Sequence, residues 1–352
     1  MKNSIYGVLL MGLTQWLSGQ TAMANSDGFY ERNPQPAFIQ KPGFYLQYKW
    51  DNVNIVFSVN DVPVKEDYRN EVGGISSGKS VSLYIRPGWN VLQIDFEPIK
   101  KYGRYLPETH LLANIQVLDL DTESQRYSIA RLDIDQLESY TDRWSEAAPF
   151  GQNAGYERYN QADQRLLAEV EKATWEPSPI YPNGIRLTRR FRVNVTNLPR
   201  WKWLDSDVIS DTDDTRQSLM QVMHRYHRSS QKRDSAAMVT ENLEDRYEQA
   251  LAQYFNVPSF ADFNQMAEER KNQINFYSGI SEGLQLAPFN PNGLMLRVFG
   301  SGRLAELAEW IEGEGYIFPL RWEKRNEDGE VTDRTSIRFI FRRYKKQWII
   351  TR

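Results

Sequence analysis

The chain has 352 residues, with 43 lysines and arginines against 46 aspartates and glutamates, for a net charge of −3. That near balance excludes the broad basic face on which general nucleic-acid binding depends. Cysteine is absent, which excludes disulfide staples, a lipid-bearing cysteine after a leader, thiol nucleophiles and cysteine-held metals.

The amino terminus reads as an export signal. Lys2 supplies a positive start, Ile5 to Leu17 carry no charge, and Ala22-Met23-Ala24 meets the small-x-small rule for cleavage. The apolar run falls short of the roughly 20 residues that span a bilayer. Residues 1–24 are therefore set aside as a leader, and loss of Lys2 makes the mature chain one charge more negative. No later segment is apolar enough to span a membrane. A soluble protein of the Gram-negative periplasm, without a stable membrane anchor, is expected.

Residues 25–205 read as a first domain. A polar lead-in, 27–43, is followed by short alternating runs. Asn54 to Val59 places Ile55, Phe57 and Val59 on one face, Asn60-Asp61 turns, and Val62 to Val64 returns. Ser80 to Ile85, Asn90 to Phe96, Asn114 to Leu120 and Tyr127 to Ile134 repeat the pattern. Short strands at near-regular spacing predict an antiparallel β-sandwich. Residues 139–183 form a helical insertion in this reading. Asn160 to Thr174 carries Leu166, Leu167, Val170 and Ala173 at helical spacing, and Pro177, Pro179 and Pro182 stop it. Ile185 to Val195 is one more strand. Trp201 and Trp203 then belong at an interaction surface, as an interdomain seam or as rings that stack on sugar.

Residues 206–214 read as an acidic linker, with Asp207, Asp211, Asp213 and Asp214. The fixed order of a calcium loop is missing. Residues 215–352 form the second domain. Gln217 to Gln231 and Ser235 to Phe255 are amphipathic helices, and Ser259 caps a third. The period then becomes two. Leu284 to Phe289, an Asn290–Gly293 turn and Leu294 to Phe299 predict a hairpin. Arg303 to Ile311, Tyr316 to Arg325, and Thr335 to Tyr344 paired with Gln347 to Thr351 complete a sheet.

Three stretches of this half resemble the nuclear-transport-factor-two-like superfamily. They are Tyr226 to Tyr247 with its Arg233-Asp234 step, Gly302 to Ala308, and Phe339 to Ile350. The resemblance covers 215–352 and rests on lengths and periods. It implies an α+β cone, helices packed in a curved antiparallel sheet. The superfamily includes isomerases, dehydratases, cyclases and many proteins without activity, so it leaves function open.

Few residues carry chemistry. His224 and His227 stand i, i+3 on a helix and could reach one metal, but a third ligand is not evident. Gly74 to Lys79 looks like a phosphate loop only superficially, because its spacing is wrong. In the cone, Tyr226, His227, Asp234 and Tyr247 are the weak catalytic candidates. An Asp–His pair would serve as base and a Tyr as oxyanion donor. Arg338, Arg342, Arg343, Lys345 and Lys346 make a basic face that would dock an acidic partner. No cofactor is expected. The reading is a non-enzymatic periplasmic binding protein with a protein partner. One concrete form is an immunity protein that neutralises an antibacterial toxin delivered by a secretion system. The alternative is an enzyme or small-ligand binder using the cone cavity.

Overall fold

The computed structural model describes residues 41–68, 73–101, 104–105, 110–119, 127–135, 168–194, 198–253, 257, 259–272, 275–278, 280–312 and 314–351. The expected leader with its expected cleavage residues Ala22 and Ala24, and most of the expected insertion, lie outside them. The protein is mostly β-sheet with four α-helices among the described residues, and its strands pair antiparallel. It divides into two compact units, one of Phe29–Arg200 and one containing Trp201–Arg352. No helix among the described residues is long and apolar enough to cross a membrane.

The first unit holds β1 (Pro42–Asp51), β2 (Val53–Val59), β3 (Val62–Asp67), β4 (Gly74–Ser80), β5 (Gly88–Pro98), β6 (Lys100–Lys101), β7 (Arg104–Tyr105), β8 (His110–Asp119), β9 (Tyr127–Asp135), β10 (Ala168–Val170), β11 (Thr174–Pro177) and β12 (Ile185–Val193). One sheet has the order β4-β1-β8-β9. Another runs β10-β12-β5-β2-β3, with β11 also on β12, and β6 pairs with β7. Phe44, Leu46, Tyr48 and Trp50 alternate inward along β1. Tyr48 and Trp50 meet Phe57 of β2 at ring distances of 5.4 and 5.8 Å, so the two larger sheets share a core.

Asn60 and Asp61 turn β2 into β3 with φ of 51° and 66°, the values a tight hairpin requires. Asn60 is also buried. Its amide donates to Tyr84 O and Asn90 Oδ1 at 2.6 and 2.7 Å, and its Oδ1 accepts from Val91 N at 2.9 Å. Asn90 in turn accepts from Arg86 N and donates to Arg86 O and Gly88 O, each at 2.9 Å. Two buried amides thus bond the loop that the backbone leaves unpaired.

Two expectations for this unit are corrected. Ser80 to Ile85 is not a strand; Ser82–Tyr84 is a 3-10 turn. Val81, Leu83 and Ile85 are all buried, and Ser82 Oγ takes the Phe44 N–H at 2.8 Å, so the turn reproduces the burial of an alternating run. The strand is Gly74–Ser80 instead, paired with β1, where the phosphate-loop lookalike lies. The described part of the expected helix Asn160 to Thr174 is also extended. Ala168–Val170 pairs with Phe191–Val193 of β12, and long-range pairing outweighs local helical spacing.

The second unit begins with a 3-10 turn at Lys202–Asp205. It continues with α1 (Asp213–Gln231), α2 (Ser235–Glu241), α3 (Leu243–Gln253) and α4 (Phe260–Arg270). Thr212 caps α1 by accepting from Thr215 N at 3.2 Å, and Asp213 and Asp214 face the positive end of its dipole. Ser259 caps α4 as expected. The run from Ser235 is two helices, interrupted at Asn242, whose side-chain amide donates to Met238 O at 2.5 Å.

The strands are β13 (Gln285–Leu286), β14 (Leu294–Phe299), β15 (Leu304–Ile311), β16 (Gly315–Ile317), β17 (Leu320–Arg325), β18 (Val331–Ile337), β19 (Phe341–Tyr344) and β20 (Gln347–Ile350). They form two sheets, β13-β17-β18 and β14-β15-β19-β20 with β16 on β15. The expected hairpin across Asn290–Gly293 is therefore corrected. β13 pairs with β17 and β14 with β15, so the turn carries the chain between sheets. Leu219, Met223 and Tyr226 of α1 pack with Leu296, Leu307, Trp322, Phe339 and Phe341 in one apolar core. The acidic stretch is tied to this unit. Asp207 N donates to Arg343 O and Ile209 N to Gly302 O, both at 2.7 Å, and Ile209 enters the core.

Candidate functional site

The residues singled out for chemistry are held in structural roles. Tyr226 is buried against Phe339 and Phe341 at 5.4 and 6.2 Å. Burial, then the negative charge of Glu241, pushes its hydroxyl well above the usual tyrosine range. His227 is buried, and its Nε2–H donates to Ala287 O at 2.7 Å. His224 is exposed, and both imidazoles pack on Phe289 at 5.3 and 5.7 Å. Asp234 caps α2 by accepting from Ala237 N at 3.0 Å. Tyr247 packs edge-on against Phe260 and Phe263 between α3 and α4. Among the described residues His227 and Asp234 are not bonded to each other, and three His, Cys, Asp or Glu side chains do not converge anywhere as metal ligands.

The expected interaction surface is largely interior. Trp201 and Trp203 are each 1% exposed, so neither ring offers a stacking face. Trp203 lies against Gly300 and Leu304; Gly300 has φ of +62°, and a Cβ there would crowd both side chains. Arg342 is buried and bonds Glu244 at 2.7 Å. Arg338 is half-buried on Glu306, and Arg343 lies over Trp348 at 5.5 Å. Of the five basic residues of the expected face, Lys345 and Lys346, at the tip between β19 and β20, are exposed. Acidic partners from distant parts of the chain take up Arg338 and Arg342.

The outer side of the β14–β15 sheet carries a lattice the sequence did not reveal. Glu306 is fully buried between Arg297, at 2.6 Å, and Arg338, at 2.6 and 3.1 Å. Arg297 also stacks 3.6 Å from the ring centre of Tyr316. Tyr316 stands opposite Trp310 across the strand pair, with ring centres 4.9 Å apart. Trp310 is 45% exposed and Met295, diagonal to it on β14, is 39% exposed. Two part-exposed apolar side chains thus lie on the same sheet face as a buried Glu–Arg cluster. The signal for it was present in Leu304-Ala-Glu-Leu-Ala-Glu-Trp-Ile311, where Glu306 and Trp310 share a face with Leu304 and Ala308.

A second feature is a cleft of about 370 Å³ lined by Arg233, Tyr277, Ser281, Glu282, Leu284 and Trp322, among others. Tyr226, His227 and Asp234 do not line it. Tyr277 is fixed by its hydroxyl, 3.2 Å from Ser230 Oγ, and its ring lies 6.0 Å from Trp322. Sequence reasoning marked Arg233 only as a helix-to-helix step.

The chain matches no protein-family model, no curated protein and no solved structure.

Proposed function

We propose that this chain is an exported, non-enzymatic binding protein that works in the periplasm through contact with another protein. In this reading the first unit is a β-sandwich with an insertion, and the second is an α+β cone whose inner face is filled. The observation that carries it is the Trp310 patch. Trp, Tyr, Arg and Met are the residues enriched where proteins bind proteins. Here Trp310, Tyr316, Arg297 and Met295 occupy one sheet face, and the arginine is held in place by Glu306. Packed rings held in place bind at low conformational cost.

Two further observations favour contact over catalysis. His227, Asp234 and Tyr226 are each committed to packing, a cap or a core bond. On the face of Trp310, the carboxylate of Glu306 is taken up by Arg297 and Arg338. The concrete form we favour is an immunity protein, with the patch closing over a toxin delivered into the same compartment. The test is affinity capture from periplasm with the wild-type chain and with Trp310→Ala. A stoichiometric protein recovered by the first and lost by the second supports the proposal. Equal recovery by both, or none by either, counts against it.

A further inference from the structure

Arg233 occupies an unusual backbone position. α1 ends with Asp234 N donating to Ser229 O at 2.9 Å and Arg233 N to Ser230 O at 3.1 Å. That is the two-bond helix stop in which the residue after the cap turns left-handed, a place ordinarily taken by glycine. Arg233 has φ of +50° there. A side chain in this region is strained, and such strain points to a role outside the backbone. Arg233 lines the cleft.

The segment between α4 and β13 also lines it, with Ser278, Ser281 and Glu282. Glu282 is exposed, and among the described residues neither it nor Arg233 has an ion-pair partner. The two charges face one cleft and do not touch each other. Tyr277, Leu284 and Trp322 line the cleft as well, all buried and part of the core. The volume is at the small end of ligand cavities, about 300–1,000 Å³. It holds on the order of a dozen waters, and so a ligand of about that many non-hydrogen atoms.

We infer that this cleft binds a small zwitterion with an apolar side group, of the class of a free amino acid, its carboxylate on Arg233 and its ammonium on Glu282. A guanidinium matches a carboxylate with two parallel hydrogen bonds, and the serine hydroxyls can bond either end. The aromatic floor takes the side group. The inference is independent of the Trp310 patch, which lies on β14, β15 and β16 and shares no residue with the cleft.

The experiment is isothermal titration of the mature chain with free L-phenylalanine, L-leucine and L-methionine, and with their N-acetyl and carboxamide forms. Binding of at least one free amino acid is expected. Blocking either end should weaken it on the order of tenfold or more. Arg233→Gly and Glu282→Gln should each weaken it by a similar factor, with an unfolding midpoint that stays or, for Arg233→Gly, rises. No binding of any of the three at about 10 mM overturns the inference. So does binding that survives a blocked end, or that survives Arg233→Gly in a folded protein.

Discussion

Two sets of charges in the second unit make an instructive pair. Glu306 is buried to 0% exposure yet answered on both sides by Arg297 and Arg338. Arg233 and Glu282 stand at the rim of a cleft and answer nothing among the described residues. The first set holds strands together; the second is open to a ligand. The difference is geometric. Arg297 sits directly opposite Glu306 in the strand register, whereas Arg233 and Glu282 come from loops joined to different elements. Residue type alone would rank all five alike.

The comparison breaks most readily at Glu306. Replacing Glu306 with Ala removes the buried carboxylate that two partly buried guanidiniums share, and should cost about 3–5 kcal/mol. Urea denaturation followed by circular dichroism would read it, and a cost below about 1 kcal/mol would show that the lattice is ornamental. Next in size is Asn90→Ala in the first unit. It orphans the Arg86 amide and carbonyl and a donor of Asn60, for an expected loss of about 2–3 kcal/mol. The same denaturation measurement checks it.

Two other buried glutamates sharpen the contrast through pH. Burial raises the carboxyl of Glu248 above the usual range, against the opposing pull of the Lys202 N–H, which donates to it at 2.9 Å. Its contribution is therefore fully present below the ordinary glutamate pKa of about 4.3 and is lost as pH rises through the higher folded value. Burial also acts on Glu323, but a hydrogen bond from Arg325 and the charges of Arg334, Arg321 and Arg325 outweigh it and hold the carboxyl below the usual range. Its contribution is present above the ordinary pKa and is lost as pH falls through the lower folded value. Denaturation midpoints taken from about pH 3 to about pH 8 should show Glu248→Gln flattening the decline on the alkaline side. Glu323→Gln should flatten the decline on the acid side. The same sign for both would contradict the assignment.

The smallest expected effect is at Arg233. Arg233→Gly relieves a left-handed arginine and should raise stability by about 1 kcal/mol. A fall in the thermal midpoint would mean that the guanidinium holds the fold.

What could be read from the sequence follows the range of the forces involved. The helix start at Ser259 and the strand over Val53–Val59 were legible because caps and alternation are local. The helix capped by Thr212, in contrast, begins inside the stretch read as a linker and four residues before the expected Gln217. Val170 was not, since its partner Phe191 lies on the far side of three prolines. The break at Asn242 was missed because the flanking apolar spacing is continuous. Trp201 and Trp203 were expected to pack at a seam or to stack on sugar, and which residues cover them was not legible; Trp203 is covered by Gly300 and Leu304, remote in sequence. The basic tail misled for the same reason. Arg342 is neutralised by Glu244 and Arg338 by Glu306, each from a remote element. Tyr226 and His227 were correctly placed on a helix, but their commitment to Phe339 and Ala287 depends on the sheet that closes over them.

The central claim is that the outer face around Trp310 meets a protein. Trp310→Ala should cost about 1 kcal/mol or less in stability, because the ring is 45% exposed. It should nonetheless abolish capture of the partner. The most direct measurement is capture from periplasm by immobilised wild-type chain, Trp310→Ala and Arg233→Gly in parallel. The account predicts one stoichiometric protein bound by the wild type and by Arg233→Gly and absent from Trp310→Ala. The same protein retained at wild-type level by Trp310→Ala would contradict it.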